Sequence, residues 1–113
     1  MTALYELKAA VVASIENTGI PVMCSMSFEE NGRTFTGCSV EAFAATIEGL
    51  GVEAAGINCS LGPDEIYLLA KKLCEVTNLP VFAKPNAGLP DPATGEYDIT
   101  AADFTVMIAK YAE

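Results

Sequence analysis

Three short apolar runs, spaced by amphipathic stretches, constrain this chain more than any other feature. They are Val22-Met23-Cys24-Ser25-Met26-Ser27-Phe28, the segment Glu53 to Asn58, and Val81-Phe82-Ala83-Lys84. Each has the length of a buried strand, although the alanines of the second make it weak on propensity alone. The intervening stretches carry helical periodicity. Leu4, Leu7, Val11 and Ile15 mark a helix over Ala3 to Asn17, stopped by Thr18-Gly19. Val40, Phe43, Ala44, Ile47 and Leu50 mark a second, ended by Gly49 and Gly51. Ser39 is its N-cap, with Ala42 where a full capping box would place Glu or Gln. A third opens at Pro63-Asp64-Glu65, proline and acids suiting a first helical turn, with an apolar face of Ile66, Leu69, Ala70, Leu73 and Val76. Thr100 caps a last helix carrying Phe104, Met107, Ile108 and Tyr111. The order is α-β-α-β-α-β-α at intervals of about 30 residues, the length of a β-α unit. That pattern predicts parallel strands joined by right-handed crossovers.

Composition narrows the chemistry. The chain has 113 residues, 51% of them hydrophobic, enough for one domain and too apolar for a disordered tail. No apolar run of roughly 18 residues is free of charges or breakers, so no membrane span is expected. Met1 to Ala10 carries Glu6 and Lys8 and does not read as an export signal, which predicts a cytoplasmic setting. A net charge of −9 disfavours nucleic acid and acidic lipid as partners. Histidine is absent, which removes the commonest general base and metal ligand. The cysteines, Cys24, Cys38, Cys59 and Cys74, form no C-x-x-C pair and are expected as reduced thiols.

In parallel α/β folds ligands bind beyond the C-terminal ends of the strands. Three loops occupy that rim: Ser27 to Gly37, Asn58 to Pro63, and Pro85 to Asp98. Cys59 stands at the end of the second strand in Gly56-Ile57-Asn58-Cys59-Ser60-Leu61-Gly62-Pro63. Position alone allows a buried strand-end cysteine or a rim thiol able to bind metal. Asn86, in the stiff loop Lys84-Pro85-Asn86-Ala87-Gly88-Leu89-Pro90, either caps a turn or offers an amide to a ligand. Lys84 is either an electrostatic partner of a thiolate or a snorkelling side chain.

These two loops together resemble the homocysteine S-methyltransferase family, on its cobalamin-dependent methionine synthase branch. Leu4 to Ala10, Met26-Ser27-Phe28, Gly32-Arg33-Thr34-Phe35-Thr36-Gly37 and Gly95-Glu96-Tyr97 are similar to it in the same order, so the resemblance covers essentially the whole chain. It implies a (β/α)8 barrel in which zinc, held by three cysteine thiolates, binds the thiol of homocysteine. The thiol is then methylated to give methionine. The methyl group comes from methylcobalamin, which is charged from methyltetrahydrofolate on other domains; another methylated donor remains open. Carried over residue by residue, Cys59 is one zinc ligand and Asn86 lies beside the metal or substrate. Asn58 and Ser60 are neighbouring candidates for substrate contact.

The departures matter equally. The family's other two zinc ligands are adjacent cysteines on the last strand, and this sequence has no Cys-Cys pair. The acidic motif that precedes the first helix is also missing. Residues 1–113 therefore read as a single segment of a homocysteine-binding barrel, covering approximately strands five to seven and inactive alone. Cys24, within a strand, Cys38, in a loop, and Cys74, on a helix, do not replace the missing ligands. Three strands cut from a barrel leave two unpaired edges and a bare face, so self-association is expected. The alternative is a stand-alone partial-barrel interaction module without catalysis. A flavodoxin-like domain fits less well, since no phosphate-cradling glycine loop is present.

Overall fold

The computed structural model describes residues 1–112. Helix α1 (Leu4–Thr18) leads into β1 (Met23–Met26), α2 (Val40–Leu50), β2 (Ala54–Asn58), α3 (Pro63–Val76), β3 (Val81–Lys84) and α4 (Ala101–Ala109), with a closing 3-10 turn at Lys110–Ala112. The helix ends follow the local chemistry. Gly19 and Gly51 adopt left-handed conformations, φ 62° and 77°, that close α1 and α2. The Ser39 hydroxyl accepts from the Ala42 N–H, and Pro63 occupies the first turn of α3. At α4 the cap is fuller than Thr100 alone suggests: Asp103 returns the bond to the Thr100 N–H, completing a capping box.

The strands form one parallel sheet in the order β1-β2-β3. Sequential order with right-handed crossovers places the helices on one face of the sheet. It also lacks the reversal of strand order that defines a doubly wound sheet, which removes the flavodoxin-like reading. An open α/β sheet of this kind matches a section of a (β/α)8 barrel.

Alternation along the strands separates the two faces. Cys24 and Met26 of β1, Ala55 and Ile57 of β2, and Val81 and Ala83 of β3 share one face and pack with Leu7, Val11, Phe43, Ile47, Ile66 and Leu73. Phe28 and Phe43 meet edge to face, ring centroids 5.9 Å apart. The other face carries Met23, Ser25, Gly56 and Phe82, none of which joins this cluster, and Met23 is 67% exposed. Phe82 lies so close over Gly56 that a Cβ there would stand 2.4 Å from the ring.

Strand β1 is shorter than the apolar run Val22 to Phe28. Its ladder ends at the Met26–Ile57 pair. Ser27 then donates its N–H to Met1 O at 2.8 Å, and Phe28 turns into the core. The Met1 amine donates to Ser25 O at 3.3 Å, so Met1 lies against the outer edge of β1 in the bonding pattern of a parallel strand. Among the described residues no helix is long and apolar enough to cross a membrane.

Candidate functional site

The rim beyond the C-terminal ends of the strands is built from Ser27, Asn58 to Gly62, and Lys84 to Asn86. Strand β2 ends at Asn58, and the next two residues leave in an unusual way. Cys59 and Ser60 both take positive φ, 56° and 68°, without being glycine. Each such residue costs on the order of 1–3 kcal/mol and persists only where its surroundings enforce it. Three backbone bonds do so here. Cys59 N–H donates to Lys84 O at 3.1 Å, Leu61 N–H to Cys59 O at 2.8 Å, and Asn86 N–H to Leu61 O at 3.2 Å. The second and third loops are thereby tied together, and the Cys59 thiol is left exposed and unpaired by any disulfide. It is the rim thiol and not the buried strand-end cysteine.

Asn58 lies opposite Lys84 in the parallel register, on the face free of helices. Its Nδ2 donates to Ser27 Oγ at 3.2 Å. Its Oδ1 is buried and has no hydrogen-bond partner. An orphaned acceptor of this kind costs roughly 1–3 kcal/mol, so its retention calls for a physical reason. Ser27 joins the site through its register position just past the last residue of β1, a signal carried by the strand's alternation. Asn86 is fixed through its backbone N–H, and Ser60 and Lys84 are exposed.

The other cysteines differ in kind. Cys24 is buried, and loss of solvation pushes its thiol up, opposed by the nearby amino terminus. Cys38 is half-buried, shifted upward for the same reason and opposed by Arg33; its Sγ donates to Ser39 O at 3.4 Å. Cys74 is exposed on α3, lining a cavity of about 550 Å³ between α3, β3 and α4 on the helix-covered face. Among the described residues no three Cys, Asp or Glu side chains converge as a metal site. Cys59 offers a single exposed thiol, with no complete metal-ligand set around it among the described residues.

In parallel α/β folds ligands bind beyond the C-terminal strand ends, and there this chain carries the exposed Cys59 and the buried, unpartnered Asn58 Oδ1. The chain belongs to the homocysteine S-methyltransferase family, whose model matches residues 1–113. It is 38% identical to the methionine synthase of Mycobacterium leprae over 92 residues, 77% of this chain and 8% of that protein. The methionine synthase of Mycobacterium tuberculosis is 37% identical over 92 residues, with the same coverage. The chain thus spans about 8% of the length of the curated relatives it matches.

Proposed function

We propose that this chain is the section of a homocysteine-methylating barrel that supplies Cys59 to a zinc ion and Asn58, Ser60 and Asn86 to the bound homocysteine. Family membership and the two methionine synthase relatives support the reaction class. The observation that carries the site is the exposed Cys59 thiol, held on a strained turn beside the orphaned Asn58 Oδ1. Zinc, when bound, lowers the pKa of a coordinated thiol so that the thiolate exists at neutral pH.

The chain's own residues perform the positioning. Asn58, held by the Ser27 bond, keeps its Oδ1 buried and unpartnered in the free chain; uncovered as the substrate enters, that oxygen would accept a hydrogen bond, for which the α-ammonium group is the natural donor. Asn86 faces the same rim from the neighbouring loop, coupled to the Cys59 turn through Leu61 O. The reaction forms a bond between the homocysteine sulfur and the methyl carbon, and the donor keeps the electron pair of the bond that breaks. Methylcobalamin, recharged from methyltetrahydrofolate on other domains, is the proposed donor. A full zinc site needs two further cysteine thiolates besides Cys59, and the proposed setting is the cytoplasm.

The test is methyl transfer to homocysteine by the complete protein. Cys59→Ser abolishes it, whereas Cys74→Ser, altered on α3 away from the rim, leaves it intact. Full activity in Cys59→Ser would refute the assignment and favour a non-catalytic interaction module.

A further inference from the structure

The strained Cys59–Ser60 turn needs a restraint on each side. Lys84 O restrains the turn upstream, at the Cys59 N–H, and the Asn86 N–H restrains it downstream, at Leu61 O. A further downstream anchor comes from the far end of the chain. The Tyr111 hydroxyl donates to Pro63 O in a short hydrogen bond, and the Tyr111 ring packs edge to face on Tyr67, centroids 5.5 Å apart. Next to it, Lys110 Nζ pairs with Asp64 Oδ1 at 2.9 Å. Pro63 and Asp64 are the first residues of α3, four and five positions after Cys59. The Pro63 side chain is buried, and Gly62 ahead of it offers no side-chain cap, so the first turn of α3 draws its outside anchors from this contact.

From this geometry we infer that the Lys110–Ala112 turn is a clamp on the rim, and that Tyr111, seconded by Lys110, is a positioning residue for Cys59. The inference rests on the reading of Cys59 as the site thiol. The hydroxyl holds the Pro63 carbonyl in the first turn of α3, and so bears on where Leu61 and Gly62 enter the helix. Leu61 in turn carries both the N–H that closes on Cys59 O and the carbonyl that receives Asn86. A tie that continuous passes displacement of α3's first turn directly to the two loops of the rim. Burial, with the charges of Asp64 and Glu65, pushes the Tyr111 phenol up to about 12, so it stays a donor at any working pH.

Amide hydrogen exchange of Tyr111→Phe tests this without metal or substrate, so its failure is separate from failure of the methyltransferase reading. The variant keeps the ring on Tyr67 and loses only the hydroxyl. Cys59, Leu61 and Asn86 amides are expected to lose protection about fivefold, the equivalent of one hydrogen bond. Ala55 and Ile57 in the sheet keep theirs. Unchanged protection at the three rim amides would overturn the inference. An equal loss at Ala55 and Ile57 would do so too, since it would make Tyr111 a general stabiliser. Should Tyr111→Phe fail to fold, Lys110→Gln must lower the same three amides about twofold, and no local change in it refutes the clamp.

Discussion

Replacing Asn58 with leucine separates what this residue does for the fold from what it does for a ligand. The two side chains have similar shape, so packing changes little. The substitution removes the Nδ2 bond to Ser27 Oγ, worth about 0.5–1.5 kcal/mol. It also removes the buried Oδ1 that has no partner, relieving roughly 1–3 kcal/mol. The two terms nearly cancel or favour the variant. Urea unfolding of Asn58→Leu is therefore expected to give a midpoint equal to or above that of the parent. Homocysteine binding, measured by calorimetry on the complete protein, is expected to weaken about tenfold, as one buried hydrogen bond to a charged donor is lost. A destabilisation above about 2 kcal/mol would refute the reasoning, because it would show that Oδ1 is already satisfied in the free protein. Unchanged affinity would refute the substrate role.

Gly56→Ala drives a methyl group into Phe82, since the added Cβ would stand 2.4 Å from the ring. The expected cost is about 1–3 kcal/mol by denaturation, and Phe82→Ala in the same chain should recover most of it. Acid should destabilise the fold in a defined window. The Lys72 side chain beside Glu41 holds that carboxylate down to about 2, while Thr77 and Asn78 lower Glu48 and Thr100 lowers Asp103. Groups depressed in the folded state contribute fully above the ordinary carboxylate range, and the contribution is lost as pH falls from about 4.5 toward 2. A thermal midpoint that falls over that window, and falls less in Lys72→Met, checks the sign. The bare sheet face and the outer edge of β3 predict self-association of the isolated 113-residue chain at micromolar concentration. A single monomer boundary in sedimentation velocity would contradict it.

Much of this architecture is legible in the sequence because its elements announce themselves locally. Gly19, Gly51, Ser39 and Pro63 mark helix ends through their own backbone preferences, and each acts where its residue type suggests. The end of β1 was not legible, because it depends on Ser27 turning to Met1 and Phe28 turning to Phe43, contacts far apart in the chain. The same holds at the rim. A cysteine at a strand end can be read from the pattern around Gly56 to Pro63. Its exposure could not, because that follows from positive φ at two residues with no glycine to signal it. Nor could the orphaned Asn58 acceptor, which exists because the Ser27 bond turns the amide one way. The Tyr111 contact with Pro63 spans 48 positions and leaves no local trace at all.

Zinc content of the complete protein tests the central claim most directly, with each of the four cysteines changed singly to serine. Cys59→Ser is expected to lose the bound metal, because one of the three protein thiolates that hold it is removed. Cys24→Ser, Cys38→Ser and Cys74→Ser retain it. Retention of zinc in Cys59→Ser would contradict the account, and loss in one of the other three instead would move the metal site away from the rim.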